Sequence, residues 1–547
     1  MSADAGDDTP VALFSLHDRR GSVELARAFV ARGMAIVATS GTRAHLIEGG
    51  IDARDVEELT GFPALFGGRV KTLHPRIFGG ILADRDDAAH RAEARAQGVP
   101  AIAAVIVNLY PFEATVARQR ATLEEAIEQI DIGGVALIRA AAKNFEHVTV
   151  LVDPEQYELL RETGEIDLAT RRRLATRAFE RTAEYDSSIA RYLEAGLLAR
   201  ELPGSLALTL PLATPLRYGE NPQSRAAFYL ARTEALPEQL GGKALSYNNL
   251  LDLDATLRLL VREVWADLAA QINCTAEASE RVESAGHARG VRAATDRAAG
   301  LVRAAVVKHT VPCGVAERPV ALDAVCAALE ADTVSAFGGI IALDGPVDLA
   351  TAEALAPFFL EIVAAPAFDE DALERLRRKK NLRIMRYDAR LPERLAAELR
   401  VRSALGGVLA EDNDPGAKPE RWRVVSARVP SGRECTDLTF AWDVVRHVKS
   451  NGVVISRDRI TRGICAGQTN RVSAVRIAGV RAGEFARGAA CASDGFFPFA
   501  DGLETAAAAG CSAIIAPEGS IRDPEVIAAA DRLGIALVFS THRYFLH

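Results

Sequence analysis

Short apolar segments alternate with helical patterns through the first 150 residues of the chain. Segments 10–16, 34–39, 101–110 and 147–152 each have the length and apolar character of buried strands, with polar turns and helical patterns between them. Strands that alternate with helices form a parallel sheet with helices on both faces. The pattern therefore predicts an α/β fold with ligands bound beyond the carboxyl ends of the strands.

Polar residues follow three of these predicted strands. His17, Asp18 and Arg19 follow the first strand, the motif TSGT at 39–42 follows the second, and NLYP at 108–111 follows a third. TSGT also begins a helix, whose backbone N–H groups can hold a phosphate, although Ser and Thr are common helix N-caps as well. These positions are the first candidates for a ligand site.

Lysine is rare in this chain, with eight lysines among the 65 basic residues. A lysine in such a chain can mark a need for a compact ammonium or for a pKa that can fall, or it can be there by chance. Two glycine-containing segments hold the only lysines of the first 242 residues: 67–82 contains Lys71, and 127–145 contains Asp131 and Lys143. Both segments are candidates for catalysis, and solvated turns are the alternative.

Domain boundaries are predicted from length and composition. A chain of 547 residues exceeds the size of a single core. A proline-rich stretch predicts a linker over 201–214, between a domain at 1–200 and a second region at 215–547. A segment near 262–300, rich in Ala, Arg and Glu with little apolar periodicity, is predicted to be a solvated helical insertion.

The second region repeats the α/β alternation. Apolar, strand-like runs occur at 304–307, 338–343, 452–456 and 512–516. The length of this region predicts two α/β lobes, although no clear internal sequence repeat is visible.

The first of these runs leads directly into Lys308 and His309. Both side chains are costly at the edge of an apolar core unless something uses them. Because adjacent side chains of a strand point to opposite faces, the pair is predicted to lie past the strand end, in the turn toward Pro312. Cys313 as a thiol nucleophile beside the imidazole is the alternative.

Overall composition excludes several classes of protein. The net charge of −8 gives no basic footprint for nucleic acid, and no run approaches the ~18–20 apolar residues of a membrane span. The acidic first ten residues lack the basic and apolar regions of a signal peptide. Seven cysteines without a C-x-x-C pair predict a reducing, cytoplasmic setting and no structural zinc.

Motifs along nearly the whole chain resemble the PurH family of purine biosynthesis. This family joins 5-aminoimidazole-4-carboxamide ribonucleotide (AICAR) transformylase to inosine monophosphate (IMP) cyclohydrolase. The motifs are GGRVKTLHPRIFGGIL, DIGGVALIRAAAKN, LRYGENP, ALSYNNLLDLDA, VVKH, SAFGGIIA, VKSN, CAGQTNR, SDGFFPFADG and GSIRD. The resemblance implies a methylglyoxal-synthase-like N-terminal domain and two cytidine-deaminase-like lobes without catalytic zinc. The chain lacks the H-x-E and P-C-x-x-C pair of the deaminase metal site.

The resemblance implies two consecutive reactions. The 5-amino group of AICAR takes the formyl group of 10-formyltetrahydrofolate, and the formyl-AICAR product then closes to IMP with loss of water. In the first reaction His309 accepts the proton of the attacking amine, and Lys308 is the electrostatic and acid partner that stabilises the oxyanion. In the second, proton transfer and charge stabilisation are implied for Lys71, Tyr110, Asp131 and Lys143.

The resemblance also implies the ligand-binding residues. The cyclohydrolase nucleotide site comprises His17, Asp18, Arg19, Thr39, Ser40, Gly41, Thr42, Arg69, Thr72, Asn108 and Ile132. The AICAR site of the transformylase comprises Arg217, Tyr218, Gly338, Glu361, Asn451, Phe496 and Arg543. The folate side comprises Arg471, Asp501, Ser520 and Ile521. A homodimer with shared transformylase sites is implied, without a catalytic metal and with the option of a structural monovalent cation.

The sequence departs from the family pattern in the transformylase half. Gln223 stands where many members have histidine, Thr310 and Val311 where bacterial members have alanine and asparagine, Ala500 where arginine is usual, and Glu518 where glycine is usual. These departures leave open a cyclohydrolase with a weakened transformylase half. A non-enzymatic nucleotide sensor is the other alternative, and the presence together of Lys71, Lys143, Lys308 and His309 argues against it.

Overall fold

The computed structural model describes residues 9–116, 121–162, 166–195, 202, 204–230, 236–262, 300–412 and 421–547. The chain forms two compact units, Met1–Leu210 and Pro211–His547. The insertion predicted near 262–300 lies, apart from its ends, outside the described residues. Within the described ranges, no helix combines the length and the apolar character needed to cross a membrane.

Unit 1 is built on a five-stranded sheet. Its strands are β1 (Val11–Leu16), β2 (Ala35–Ala38), β3 (Ala53–Asp55), β4 (Ile102–Asn108) and β5 (Thr149–Leu151). The order is β3-β2-β1-β4-β5, and every pairing is parallel. The parallel sheet predicted from the alternating pattern is therefore confirmed, with the three-residue β3 as an additional edge strand.

The described helices of unit 1 connect its parallel strands, as such strands require, except for the last two, which follow β5. They are α1 (Ser22–Ala31), α2 (Ser40–Glu48), α3 (Val56–Thr60), α4 (Pro75–Leu82), α5 (Ala88–Ala96), α6 (Phe112–Val116), α7 (Leu123–Glu128), α8 (Gly133–Lys143), α9 (Glu158–Glu162) and α10 (Leu168–Ala195), with 3₁₀ turns at Phe66–Gly68 and Pro154–Tyr157. Local sequence sets several helix starts. At α7, for example, the Thr122 hydroxyl accepts the N–H of Glu125, whose carboxylate accepts the N–H of Thr122.

Unit 2 is built on a twelve-stranded mixed sheet. Its strands are β8 (Glu238–Gly241), β9 (Val302–Lys308), β10 (Val311–Arg318), β11 (Gly339–Leu343), β12 (Leu360–Ala365), β13 (Arg383–Arg386), β16 (Trp422–Val424), β17 (Val453–Arg457), β18 (Ile460–Cys465), β19 (Ala490–Ser493), β20 (Ala513–Pro517) and β21 (Ala536–Ser540). The order is β16-β21-β20-β19-β17-β18-β10-β9-β11-β12-β13-β8. Two separate hairpins pair β6 (Leu212–Leu216) with β7 (Ala226–Tyr229) and β14 (Arg400–Ala404) with β15 (Gly407–Glu411).

The helices of unit 2 complete an element-by-element repeat. They are α11 (Tyr247–Arg258), α12 (Ala321–Glu330), α13 (Leu349–Leu355), α14 (Glu370–Arg377), α15 (Leu391–Ala397), α16 (Gly432–Val445), α17 (Arg471–Ala482), α18 (Ala500–Ala509) and α19 (Asp523–Leu533). The series β8-α11-β9-β10-α12-β11-α13-β12-α14-β13 matches β16-α16-β17-β18-α17-β19-α18-β20-α19-β21. The two predicted lobes are thus present, and they share one sheet through the antiparallel pairing of β10 with β18.

The strand directions bring ends from both lobes to one edge of this sheet. The carboxyl ends of β9, β18, β19, β20 and β21 lie there together with the amino ends of β11, β12, β13 and β17, as their parallel and antiparallel pairings require. We call this the His309 edge, because His309 follows β9. The turn between β17 and β18 lies at the opposite edge.

Candidate active sites

The first candidate site lies at the carboxyl ends of β1, β2 and β4. The amide oxygen of Asn108, at the end of β4, accepts the backbone N–H groups of His17 at 2.7 Å and Asp18 at 2.9 Å. The amide nitrogen of Asn108 donates to the carbonyl of Asp18 at 2.7 Å. The hydroxyl of Thr42 accepts the N–H of Leu16 at 2.9 Å. These bonds fix the loop after β1 beside the amino end of α2.

Arg19 lies against the first turn of α2. A Cβ atom at Gly41 would lie 2.9 Å from Nη2 of Arg19, so glycine gives the guanidinium the room to approach the helix. A guanidinium beside a helix N-terminus is a favourable site for a phosphate. In the same loop, a side-chain hydrogen bond from Arg20 lowers the pKa of Asp18. The structure therefore brings together the predicted residues after β1, β2 and β4.

Asp131 lies just before α8, within electrostatic range of Lys71. Its carboxylate accepts the N–H of Gly134 at 2.7 Å. Burial raises the pKa of Asp131, and the N–H donors of Gly134 and Tyr110 and the charge of Lys71 oppose that shift. The hydroxyl of Thr72 lies over the same helix start. A carboxyl group with increased proton affinity next to an ammonium is suited to proton transfer.

Other predicted residues of this unit lie around or away from that pair. Ile132 and Tyr110 are exposed, and the ring of Tyr110 packs edge-on against His17 with centroids 6.0 Å apart. Arg69 forms an exposed ion pair with Glu128. Lys143 ends α8, about 15 Å along the helix axis from its first turn. It lines a cavity of about 660 Å³ there with phenylalanine side chains, so its position within one chain is separate from Lys71 and Asp131.

Two buried tyrosines that the sequence did not indicate support this site. The hydroxyl of Tyr185 accepts the N–H of Asp131 at 2.8 Å and donates to the carbonyl of Gln129 at 2.6 Å. Burial raises the pKa of Tyr185 to about 12. Tyr157 lies near Asn108 and the charge of Asp18, and burial raises its pKa as well. Both tyrosines come from elements far along the chain, so no local spacing could indicate them.

The second candidate site lies along the His309 edge. The first lobe contributes predicted residues at the carboxyl end of β9 and the amino ends of β11 and β12: Lys308, His309, Gly338 and Glu361. The second lobe contributes predicted residues before β17 and after β19, β20 and β21: Asn451, Phe496, Ser520, Ile521 and Arg543. Asp501 lies in the first turn of α18, and Arg471 begins α17. Pairing across the sheet therefore collects residues that are far apart in sequence.

Lys308 is the last residue of β9, and His309 begins the turn that follows, so only the histidine lies past the strand end. The ammonium of Lys308 donates to the carbonyl of Phe337 at 2.7 Å, which places it beside Gly338. Cys313 is largely buried, and burial raises the pKa of its thiol to about 11. A thiol with a raised pKa is a poor nucleophile at neutral pH, which argues against the alternative in which Cys313 attacks.

Nearby, Glu361 receives a hydrogen bond from the guanidinium of Arg383 at 2.6 Å. Arg383 also donates to the carbonyl of Ala244 at 3.0 Å from two nitrogens. The RYGENP segment closes on itself through the N–H of Gly219 and the carbonyl of Ser224. The guanidinium of Arg217 lies over the ring of Tyr218, 5.4 Å from its centroid.

Asp494, directly after β19, joins three segments of the second lobe. Its carboxylate accepts hydrogen bonds from Arg471 at 2.5 Å and from the hydroxyl of Ser450, and its carbonyl accepts the N–H of Tyr544 at 3.0 Å. Arg471 also donates to the hydroxyl of Ser493 at 2.7 Å. Arg471, predicted at the folate side, is thus buried and has partners within the fold.

The folate-side residues near α18 and α19 are more open. Ile521 is 99% exposed, and the hydroxyl of Ser520 accepts the N–H of Arg522 at 3.1 Å. Glu518, one of the departures from the family pattern, forms an ion pair with Arg423 at 2.9 Å. Ala500, another departure, packs against the core of the second lobe.

One group of described side chains has the geometry of a cation site. Ligand atoms of Asp84, Asp86 and His147 in unit 1 all lie within 4.8 Å of one another. Both aspartates are exposed, and Nε2 of His147 lies 3.2 Å from the carboxylate of Asp84. Exposed carboxylates of this kind occur commonly without an ion, and none of the three belongs to either candidate site.

Comparison with known proteins identifies the family. The model described as AICARFT/IMPCHase bienzyme matches residues 141–481, and the MGS-like domain model matches residues 21–136. The chain belongs to the AICARFT/IMPCHase bienzyme family. Relatives named bifunctional purine biosynthesis protein PurH match along 98% of the chain. They are 45% identical over 552 residues in Desulfitobacterium hafniense, 48% over 552 in Thermosynechococcus vestitus and 47% over 543 in Chloroflexus aurantiacus, covering 99%, 99% and 98% of those proteins.

As a member of the AICARFT/IMPCHase family, the chain is a bifunctional enzyme of purine biosynthesis, a formyltransferase and an IMP cyclohydrolase. The matches run through both halves of the chain. They favour the bifunctional enzyme over the two alternatives, a cyclohydrolase with a weakened second half and a nucleotide sensor.

Proposed function

We propose that unit 1 carries the cyclohydrolase site and unit 2 the transformylase site. The MGS-like match falls within unit 1, and the guanidinium of Arg19 beside the start of α2 supports a nucleotide site in that unit. A cytoplasmic location is part of this proposal, because the cysteines of the described residues are free thiols, as expected in a reducing compartment.

In unit 1, the phosphate of formyl-AICAR binds at Arg19 and the start of α2. The carboxamide nitrogen then attacks the formyl carbon of the same molecule, and the formyl oxygen leaves as water. Much of the rate comes from holding the two reacting groups together. Asp131 and Lys71 exchange the protons of this step, since burial gives the carboxyl a raised pKa beside the ammonium. Lys143 lies at the far end of α8, away from Lys71 and Asp131 of the same chain. Its proposed catalytic role therefore has no support within one chain.

In unit 2, the amine of AICAR attacks the formyl carbon of 10-formyltetrahydrofolate. The imidazole of His309 accepts the proton that the amine loses. The ammonium of Lys308, held near Gly338 by the Phe337 carbonyl, faces the oxyanion that develops on the formyl group. Transfer ends when the intermediate expels the folate nitrogen, which leaves formyl-AICAR and tetrahydrofolate.

We propose further that each transformylase site uses two subunits. Four strand spacings separate β9 from β19 and six separate β9 from β21, or about 19 Å and about 29 Å along the sheet. Phe496 and Arg543 of one chain are therefore too far from its own His309 to meet it across one nucleotide. The His309 half of one subunit and the Arg543 half of another form one complete site in a homodimer. This separation along the edge is the observation that carries the proposal.

Complementation between two inactive variants tests the shared site. His309→Ala and Arg543→Ala are expressed separately, each with little transformylase activity, and are then mixed under conditions that exchange subunits. Random exchange makes half of the dimers heterodimers. Each heterodimer has one intact site out of two, so recovery of about a quarter of wild-type activity is expected. Mixing each variant with itself is the control. If exchange is verified by native mass spectrometry and activity stays at the level of the parents, each site belongs to a single chain.

A further inference from the structure

The two residues that connect β9 to β10 have left-handed backbone conformations. φ is +56° at His309 and +59° at Thr310. Two-residue hairpin turns of this kind favour Asn-Gly, because few other side chains adopt positive φ readily, and a β-branched residue such as Thr does so least. The His-Thr turn therefore needs support from the surrounding structure to keep this conformation.

Asp252, on α11, supplies that support. Its carboxylate accepts the N–H of Thr310 at 2.6 Å and the N–H of His309 at 3.3 Å. Asp252 is half-buried. By holding two successive N–H groups, one carboxylate fixes the backbone from which the imidazole of His309 projects.

The second lobe repeats this arrangement without the histidine. Asp458 and Arg459 connect β17 to β18 with φ of +58° and +54°. Asp437, on α16, accepts the N–H groups of Asp458 at 3.0 Å and Arg459 at 2.8 Å. Each aspartate lies six residues after the serine N-cap of its helix, Ser246 in α11 and Ser431 in α16. The Asp458–Arg459 turn lies at the edge opposite the candidate transformylase site. A substitution of Asp437 therefore serves as a control for the same substitution of Asp252.

We propose that Asp252 is a positioning residue for formyl transfer, which holds the strained His309–Thr310 turn so that the imidazole reaches the amine of AICAR. This inference rests on the proposed role of His309. In the second lobe the equivalent carboxylate, that of Asp437, only stabilises a turn. Both lobes thus hold a hairpin turn through a helix aspartate, and in the first lobe the same contact also orients the side chain of His309.

The test compares Asp252→Asn with the matched variant Asp437→Asn in the full-length dimeric enzyme, with AICAR and 10-formyltetrahydrofolate as substrates. Asp252→Asn is expected to lower the transformylase kcat by about 10- to 100-fold, since small misplacements of a catalytic group have effects of that size. The KM for AICAR should change by less than about threefold, since Asp252 acts through the backbone of His309. Asp437→Asn should keep kcat within about threefold of wild type, since substitutions at distant, independent sites have separate effects.

Two further variants make the outcome decisive. Asp252→Glu keeps the charge but moves the carboxylate by one methylene, so it should also lose kcat; it replaces the asparagine variant if that protein does not fold. Thr310→Gly, added to Asp252→Asn, should recover part of the lost kcat because glycine adopts positive φ without strain. A kcat for Asp252→Asn within about twofold of wild type, or an equal loss in Asp437→Asn, overturns the inference. His309→Ala with wild-type kcat would instead remove the proposed role of His309 itself.

Discussion

The guanidinium of Arg471 donates to the carboxylate of Asp494 at 2.5 Å, and both side chains are buried. Because Asp494 also accepts a hydrogen bond from Ser450, the ion pair connects the start of α17 to the segment before β17 that carries Asn451. Removing one partner of a buried ion pair leaves an uncompensated charge. Arg471 therefore stabilises the segments of the second lobe that lie at the His309 edge, in addition to any contact with a ligand.

Arg471→Ala should destabilise unit 2 by about 3–5 kcal/mol, the usual cost of leaving a buried charge unpaired. The matched control is Arg522→Ala, which removes an exposed ion pair with Glu525 at 3.2 Å and should cost less than about 1 kcal/mol. Urea unfolding followed by tryptophan fluorescence measures both, since all three tryptophans of the sequence lie in unit 2. Equal free energies of unfolding for the two variants would show that the Asp494 charge is compensated in another way.

The fold was more predictable from sequence than the grouping of its site residues. In unit 1, each candidate loop directly follows an apolar strand, and parallel strands bring their carboxyl ends to one edge, so residues after β1, β2 and β4 could be grouped without a structure. Tyr157 and Tyr185 could not, because they reach the site from the second half of unit 1. In unit 2, the grouping depends on the antiparallel pairing of β10 with β18, which no local pattern encodes.

A sequence match between the two lobes of unit 2 becomes recognisable once the structure has shown the repeat. The segments SYNNLLDL at 246–253 and SGRECTDL at 431–438 share a serine, and six residues later an Asp-Leu pair. The serine caps each helix and the aspartate holds each hairpin turn. The same spacing recurs in both segments because each helix begins at its serine and reaches its turn through the aspartate. The sequence between them carries no such constraint, and this explains why the repeat is hard to see.

His309→Ala should separate the two activities. Loss of a general base lowers a rate by about 10²- to 10⁴-fold, so formyl transfer should fall by that amount. Ring closure of supplied formyl-AICAR should remain near wild type, because the proposed cyclohydrolase residues all lie in unit 1. Both rates are measured on the same preparation, with the circular dichroism spectrum as a check of folding. Parallel loss of the two activities would contradict two independent sites.

Acidic pH should lower the free energy of unfolding of unit 2, because Glu317 then takes up a proton. This carboxylate is buried; burial alone would raise its pKa, but Arg303, Arg262 and Arg459 lower it to about 2, against an ordinary value of 4.5. The folded state therefore favours the charged form, so this contribution is complete above pH 4.5 and is lost as the pH falls toward 2. The free energy of unfolding should decrease over that window.

Glu317→Gln tests this assignment. At pH 7 the variant should lose about 3–5 kcal/mol of stability, because three arginines lose a buried partner, and its stability should depend less steeply on pH between 4.5 and 2. Glu525→Gln, at an exposed ion pair, is the control and should follow the wild type. The measurement is the urea midpoint of each protein from pH 7 to pH 2, and parallel curves for wild type and Glu317→Gln would exclude Glu317 as the titrating group.

Lys71→Arg should preserve nucleotide binding and lose most of the ring closure. The charge of Lys71 acts on the partly buried carboxyl of Asp131, and the proposed reaction needs a compact ammonium that can exchange a proton there. A guanidinium keeps the positive charge but is planar, wider and hardly able to release a proton. A loss of about 100-fold in turnover corresponds to roughly 3 kcal/mol of transition-state stabilisation. Turnover of formyl-AICAR at saturation is measured beside the affinity for IMP. If arginine serves nearly as well as lysine, Lys71 supplies only positive charge, and the scarcity of lysine in this chain has no catalytic meaning at this position.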